Sequence, residues 1–555
     1  MPFFDSRAAL YAFMAVLTLV VLIGHHSVPP MDRDESRFAQ ASRQMQQDGD
    51  YVTVRFQDDL RAKKPAGIYW LQTAFANLFG PDDIAAYRFV NLLALLAAVF
   101  ILYHIGLRLY EPRASLAAST LLGVSFIVLG EAHLAKTDSV LMTLAICQQW
   151  ALMSVYISAG KPRAKRGKTW FWFWLAMAGG IMIKGPVLVV LAVATVLTLC
   201  LWDRRLDWLV GLRSGYGILL VCVVCLPWAL LVTEATRGEF LGIAIKGDLL
   251  AKVKSGQESH GAPPGIYMLI LGFLIWPASP LLVSAVTRFK GFLGRVETRF
   301  LLAWLLPFWV ILEFIPTKLP HYILPVLPAL MLLLAGNVIP PAGMGGYSWR
   351  GFLGNGLRYF GAGLGLCFGG VAVWGAINFG GVTSRSAMLF SMATLVCAVA
   401  ALWFAHYWIT KRLWSPFFAM LGAGMMLHVV FFSGVIPALS RLHISTAIVN
   451  KVVSLNQPPA AIAAAGYHEP SLVFHLGQDL LLVDGREAAL FLVEAPGGLA
   501  IVEMHQNEVF LATAAELGLR LKAPIQLEGY NISKGQNVEI LLYRTEMFDA
   551  KAGKG

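Results

Sequence analysis

Charge is scarce in this chain. Only 14% of its 555 residues are Asp, Glu, Lys or Arg, where soluble domains carry about 25%. With 57% hydrophobic residues and a mean hydropathy of +0.64, that deficit excludes a wholly soluble protein and implies a membrane protein with some soluble portion. Cysteine is thin as well. Cys147, Cys200, Cys222, Cys225, Cys367 and Cys397 all fall in apolar runs, so they read as small membrane-core residues and no disulfide framework is expected. Cys222-Val-Val-Cys225 has CxxC spacing, but in a Leu/Val run without redox context. There is no repeat of solenoid length and no low-complexity tract. No small-residue cleavage motif follows the first apolar run, which is therefore expected to be an anchor rather than a removed signal peptide. The net charge of +11 does not point to nucleic acid, because much of the excess lies in short connections between apolar runs, where it sets topology.

What the chain has is apolar runs of spanning length. A helix needs about 20 apolar residues to cross a bilayer, with about 17–25 tolerated. Spans are expected near 8–24, 88–108, 114–130, 138–159, 169–182, 184–202, 214–233, 265–287, 300–315, 321–339, 357–378, 386–406 and 415–436. Lys184-Gly185-Pro186 separates the fifth from the sixth. Thirteen spans put the termini on opposite sides, and basic residues say which. Lys161, Arg163, Lys165, Arg166 and Lys168 fill one connection, and Arg204, Arg205 and Arg213 another. Arg288, Lys290, Arg295 and Arg299 fill a third, and Lys411-Arg412 a fourth. All four fall on one side, which the positive-inside rule makes cytoplasmic. The N-terminus is then cytoplasmic and the C-terminus outward. The fold class is a polytopic α-helical membrane protein over residues 1–436, followed by a small α/β domain over 437–555 outside the membrane. In that domain, strand-like runs at Leu472–Phe474, Leu480–Val483, Ala500–Val502 and Val538–Tyr543 alternate with helical stretches at 444–454 and 510–518.

The outward side collects the unusual residues. The 25–87 loop carries Asp32-Arg33-Asp34-Glu35 after Pro29-Pro30, and Lys63-Lys64-Pro65 before Ile68-Tyr69-Trp70. Glu131-Ala-His133-Leu-Ala-Lys136-Thr-Asp138 forms a charged edge, joined by Lys184-Gly185-Pro186, the 234–264 loop and Pro316-Thr-Lys318-Leu-Pro320-His321-Tyr322. Charges beside a bilayer are costly unless solvated or paired, so they mark a functional-site hypothesis. Carboxylates can act as a general base or stabilise a cationic transition state. Lysines neutralise phosphate as compact point charges, and a phenol such as Tyr322 can donate to a phosphate oxygen. Together they describe a site where a phosphate leaves and a hydroxyl attacks, and at a membrane edge the natural phosphate compound is a lipid phosphate.

Each element also has a plain reading. Asp32, Asp34 and Glu35 could cap the helix that begins near Ser36; for Glu35 that reading is preferred, for Asp34 chemistry. Lys63 reads as an interface anchor, whereas Lys64 before Pro65 is held extended and is the better ligand. Asp138 could equally cap the fourth span or serve the site. Lys318 and Tyr322 could be snorkelling anchors. His25-His26 reads as interfacial, and Glu258 with His260 gives only half a metal site. Trp170 to Trp174 forms an aromatic belt at the cytoplasmic interface.

The order of these elements resembles the GT-C membrane glycosyltransferases related to protein O-mannosyltransferases, and within them the lipid A aminoarabinose transferases of bacteria. The motifs are Asp34-Glu35, Lys64-Pro65 with Tyr69-Trp70, Lys136-Thr-Asp138, Lys184-Gly185-Pro186 and Lys318-Leu-Pro320-His-Tyr322-Ile-Leu-Pro325. The resemblance covers roughly residues 1–440. It implies transfer of a sugar from a polyprenyl phosphate to an acceptor on the periplasmic face of the bacterial inner membrane, with inversion; a lipid acceptor close to lipid A or another envelope glycolipid is expected. It implies Asp34 as the catalytic aspartate and Asp138 as a second acid of the site. Lys64 and Tyr322 become donor-phosphate contacts, and Glu35 and Lys318 supporting residues. The family's basic residue from the loop before the eighth span has Lys252 and Lys254 as candidates here, although Arg is the family's residue; Lys252 is taken. No cofactor and no metal ligand are assigned, and participation of a divalent metal stays open. The C-terminal domain is assigned no catalysis.

Three rivals remain. Transfer to a Ser or Thr hydroxyl would use the same donor chemistry. A secondary transporter would place ionisable pairs and broken helices at the bilayer midplane in related halves; here the charges sit at one face, and the best intramembrane acid, Glu313, lies near the outward end of its span. A binding scaffold that recruits envelope partners through the C-terminal domain is the third.

Overall fold

Long apolar helices dominate the computed structural model, which describes residues 7–158, 168–244, 261–282, 295–338, 352–411 and 414–546. Helical segments stand at each expected span. They are α1 (Arg7–Ser27), α4 (Ile84–Leu109), α5 (Pro112–Val124) with α6 (Phe126–Ala132), α7 (Asp138–Ile157), α8 (Thr169–Lys184), α9 (Val187–Asp203) and α10 (Ser214–Ala235). α11 (Ile266–Leu274), α12 (Val296–Phe314), α13 (Leu327–Val338), α14 (Phe352–Phe379), α15 (Ser384–Lys411) and α16 (Trp414–Val430) follow. Among the described residues, seven single helices are long and apolar enough to cross a bilayer, or eight if α5 and α6 make one span. That pair is bent by 60° at Ser125. The freed backbone is satisfied locally and across the bundle: Ser125 Oγ donates to the Leu121 carbonyl at 2.6 Å, and Phe126 N–H to the Trp276 carbonyl at 3.0 Å.

The 25–87 segment is more ordered than a polar loop. It folds into α2 (Asp34–Asp48), a short hairpin of β1 (Arg55–Phe56) and β2 (Asp59–Leu60), and α3 (Gly67–Phe79). A buried polar seam joins α2 to α3, with Ser42 Oγ donating to Gln72 Oε1 at 2.7 Å and Thr73 Oγ1 to the Ser42 carbonyl at 2.9 Å. Gly67 lets the start of α3 approach the end of α8; a Cβ there would lie 2.6 Å from the Met182 carbonyl oxygen. Gly185, at φ 71°, then turns the chain out of α8 directly after Lys184.

After α16 comes a five-stranded mixed sheet with helices. Its strands are β3 (Ile462–Ala465), β4 (Leu481–Val483), β5 (Leu499–Glu503), β6 (Ile525–Asn531) and β7 (Gln536–Tyr543), in the order β4-β3-β5-β7-β6. β3 pairs in parallel with β4 and β5, and β7 antiparallel with β5 and β6. The helices are α17 (Ile444–Val453), α18 (Pro470–Leu476), α19 (Gly485–Glu494) and α20 (Met504–Glu516). The expected strand at Leu472–Phe474 is instead part of α18. Pro470 sits in its first turn after the extended Glu469, and Leu472, Val473 and Phe474 are all buried. A three-residue apolar run carries no periodicity to separate strand from helix, and Pro at a helix start decided it.

Candidate functional site

The charged quartet behind α1 is divided among three destinations. Glu35 turns into the membrane domain. Its carboxylate accepts from Arg88 Nε and Nη2 at 2.7 and 2.8 Å, and from the backbone N–H of Met31 and Ala135 at 2.9 and 2.8 Å. Arg88, on α4, also donates to the carbonyls of His25, Val28 and Pro29. Both side chains are buried, so this is a structural anchor in which every strong donor and acceptor is matched. Asp32 and Arg33 turn the other way, to the C-terminal domain. Asp32 Oδ1 accepts from Ser471 N–H at 3.1 Å, and Arg33 Nη2 donates to the Ser533 carbonyl at 2.5 Å.

Asp34, between them, is committed to neither. It is the first residue of α2 and is exposed, and no described hydrogen bond or ion pair engages its carboxylate. Partial burial works to raise its pKa, but Lys136, Arg61, His321 and Lys64 together hold it below its ordinary value. The result is an ionised carboxylate, open to a substrate and surrounded by fixed cations.

Beneath it lies a compact charge cluster. Lys136 Nζ donates to Glu131 Oε1 at 2.8 Å, and Lys184 Nζ to Asp138 Oδ1 at 2.5 Å. His321 bridges the two acids, its Nδ1 3.5 Å from Glu131 Oε1 and its Nε2 3.8 Å from Asp138 Oδ2. Burial opposes the Lys136 ammonium, but Glu131, Asp138 and Asp34 hold it well above the usual lysine range. Lys184 lies over the Tyr322 ring at 5.1 Å, a cation–π contact that brings Tyr322 into the same cluster. Helix geometry explains the convergence. The bend at Ser125 aims α6 and Glu131 at the start of α7, where Asp138 is the first residue, while α8 ends at Lys184.

Lys64 is half-buried, and its ammonium donates to the Lys63 carbonyl at 2.8 Å. Beside it opens a cleft of about 300 Å³ lined by Arg37, Asp59, Arg61 and Lys63 on its polar side, three cations against one acid, and by Phe56, Leu60 and Ile243 on its apolar side. Arg61 is 8% exposed. Its Nε donates to the Tyr69 hydroxyl at 3.0 Å and its guanidinium lies over the Phe38 ring at 4.9 Å. No described protein acceptor meets its Nη groups, so they are free for an anion.

Of the residues singled out in the sequence, the structure thus gathers Asp34, Asp138, Tyr322 and Lys64 on one face. Glu35 stands one residue from Asp34, facing away. Lys318 has other employment: it is buried, and its Nζ donates to the carbonyls of Glu313 and Ile315 at 2.8 and 2.6 Å, closing the end of α12. It is neither a snorkelling side chain nor a member of the cluster. Lys252 and Lys254, with Glu258 and His260, lie outside the described residues. Glu313 accepts from Gly265 N–H at 2.8 Å and Trp309 Nε1 at 3.1 Å, a capping role rather than a transport site. Glu131, Lys136, Lys184 and His321 stand in the sequence motifs without an assigned role; their shared position at span edges is the signal that could have found them. For Arg61 and Arg88 there was none.

Glu131, Asp138 and His321 each offer a ligand atom, all within 4.8 Å of one another, and Glu131 Oε2 is buried without a partner. By donor type this set fits a divalent cation, although the Lys136 and Lys184 ammoniums already neutralise one oxygen of each acid.

Comparison with known proteins bears on the family and the fold. Residues 63–230 match the family model of dolichyl-phosphate-mannose-protein mannosyltransferases. The undecaprenyl phosphate-alpha-4-amino-4-deoxy-L-arabinose arabinosyl transferase of Yersinia pestis is 30% identical over 339 residues, 60% of this chain and 59% of that protein. The protein of the same name from Pseudomonas paraeruginosa is 29% identical over 310 residues, 55% of each. The chain therefore spans about half the length of the curated relatives it matches. The crystal structure of ArnT from Cupriavidus metallidurans bound to undecaprenyl phosphate superposes with a TM-score of 0.76 at 18% identity, covering 97% of this chain and 98% of that one. Its apo state gives 0.74 at 17% identity. The chain has that fold from end to end.

Proposed function

We propose that the chain, which matches a mannosyltransferase family model and aminoarabinose transferases over part of its length and shares the fold of ArnT, belongs to the GT-C superfamily that holds the protein O-mannosyltransferases and the lipid A aminoarabinose transferases, and that it transfers a sugar from a polyprenyl-phosphate donor to an envelope glycolipid. Lipid A or a related lipid is the acceptor, on the periplasmic face of the inner membrane. The four basic connections on the opposite side support that orientation. The observation that carries the reading is Asp34, an exposed carboxylate kept ionised by the surrounding Lys136, Arg61 and Lys64.

A carboxylate with a lowered pKa is a weak base. Asp34 therefore orients the acceptor and stabilises positive charge growing at the sugar's anomeric carbon more than it takes up a full proton. The leaving group is a lipid phosphate and departs as an anion. Lys64, Tyr322 and Lys252 are its proposed contacts, and the open Nη groups of Arg61 add a bidentate one. Asp138 holds Lys184 over Tyr322 and so sets the edge of this phosphate site. A divalent cation, if bound, would be held by Glu131, Asp138 and His321 and would act as a Lewis acid toward a phosphate oxygen.

The test uses purified protein in liposomes with a polyprenyl-phosphate sugar and lipid A. Asp34→Asn should lose about 10²-fold or more in kcat; near-normal turnover would sink the assignment. Transfer to Ser or Thr hydroxyls is the second reading, favoured by the mannosyltransferase family match over 63–230. Mass spectrometry of lipid A and glycoproteins from a deletion strain separates the two.

A further inference from the structure

The C-terminal domain has no evident chemistry of its own, yet it touches the chain on the two residues immediately before Asp34. Both contacts trace to one buried residue, Glu469. Its Oε1 accepts from Asn531 Nδ2 at 2.8 Å and its Oε2 from Ser533 Oγ at 2.7 Å. Asn531 Oδ1 in turn accepts from Lys534 N–H at 2.9 Å, and Gly535 N–H closes onto the Asn531 carbonyl at 2.8 Å. The β6–β7 turn is therefore fixed, and its Ser533 carbonyl is the acceptor for Arg33. Two residues beyond Glu469, Ser471 gives its N–H to Asp32.

Arg33 itself has φ 66° and ψ −110°, a strained conformation for a non-glycine residue that persists only when the surroundings impose it. Here the surroundings pull from both sides. Glu35 is held in the membrane domain by Arg88, and Asp32 and Arg33 are held by the C-terminal domain, so the peptide carrying Asp34 is stretched between two bodies. Further contacts keep α18 on this junction. Arg43 of α2 donates to the Phe474 carbonyl at 2.9 Å, and Gln57 of the β1–β2 turn donates to the Leu480 carbonyl at 2.7 Å. Phe474 packs with Ala39, Ala76, Ile84 and Tyr87.

We propose that the C-terminal domain is the element that holds Asp34 in working geometry, with Asp32 and Arg33 as positioning residues clamped by Ser471 and by the Glu469-braced Ser533 carbonyl. This inference rests on Asp34 being the catalytic aspartate. A displacement of about 1 Å at a reacting group can cost about 10²-fold in rate, and the clamp acts one residue from that group.

The experiment measures kcat, donor KM and hydrogen exchange of residues 31–37 in the full-length protein. Arg33→Gly accepts the positive φ without strain and folds, but loses its anchor. It should lower kcat at least about tenfold, leave donor KM within about twofold of the parent, and speed exchange over 31–37. Asp32→Ala should do the same, whereas Asp32→Asn keeps an oxygen for Ser471 N–H and should retain kcat. Parental kcat in both Arg33→Gly and Asp32→Ala would overturn the proposal. So would equal losses in Asp32→Asn and Asp32→Ala, or a loss of kcat with unchanged exchange. If Asp34→Asn keeps its turnover, the parent reading fails; if only the clamp variants do, this inference fails alone.

Discussion

Removing one member of the Glu35–Arg88 pair should be among the most damaging single changes in the protein, and the structure says by how much. In Glu35→Leu, the Arg88 guanidinium stays buried and loses two charge-assisted bonds, keeping only carbonyl acceptors. Breaking a buried pair from one side costs about 3–5 kcal/mol. The N–H groups of Met31 and Ala135 lose their acceptor too, at about 1–3 kcal/mol each when buried. Arg88→Met strands the Glu35 carboxylate instead, with only those two N–H donors, and leaves the carbonyls of His25, Val28 and Pro29 short of a donor. The double variant removes both charges. Apolar replacement of a buried pair is often neutral, so it should be more stable than either single variant, yet still below the parent by at least roughly 2–6 kcal/mol for the two orphaned N–H groups, and by more for the three carbonyls that lose Arg88. Denaturant unfolding of the four proteins in detergent closes the cycle. Single variants within about 0.5 kcal/mol of the parent, or a double variant no better than the worse single, would refute the anchor.

Other outcomes follow from the same geometry. Burial and the Glu469 carboxylate push Asp32 up to about 6, against opposing effects of Ser471 and Arg37. The folded state therefore favours the protonated acid, a stabilisation complete below about pH 4 and lost as pH rises through about 6. With the intrinsic pH dependence of amide exchange divided out, protection at the α2–α18 junction should be higher at pH 5 than at pH 7.5, and Asp32→Asn should remove the difference. Arg61→Ala should raise the donor KM by about tenfold, the worth of one charged hydrogen bond, with kcat less affected; an unchanged KM would take Arg61 out of the phosphate site. Because Lys136 and Lys184 already neutralise Glu131 and Asp138, EDTA should leave turnover within about twofold. A deep loss reversed by Mn²⁺ or Mg²⁺ would place a cation at that cluster.

The spans were legible because their signal, a run of apolar residues of bilayer length, is local and strong. So was the position of Asp34, a charge at the edge of the apolar bundle. What the sequence hid was pairing at a distance. Arg88 read as the polar edge of a span, but it is buried against an acid 53 positions earlier. Lys318 read as a snorkelling or supporting residue because nothing local reveals that the carbonyls ending α12 would need it. The helices of the 25–87 segment were partly missed because α2 is polar and α3 follows a Lys-Pro break, so neither matches a spanning pattern. The alanines of β3 have little strand preference, and only packing between β4 and β5 makes them a central strand. The Asp34–Lys136–His321 grouping needs three separate elements to meet, which no spacing rule encodes.

The two ion pairs beneath Asp34 differ in one respect that bears on how the molecule is made. Glu131 finds Lys136 five residues on, so that acid and its cation leave the ribosome almost together and can enter the membrane as a neutral hairpin. Asp138 must wait for Lys184, 46 residues later, at the far end of the next helix. Until α8 is inserted, Lys136 alone faces both Glu131 and Asp138, so the head of α7 is one cation short at the lipid boundary, which favours delaying its final seating. A chain cut between α7 and α8 is therefore expected to seat α7 less stably than one that reaches Lys184 and closes the pair.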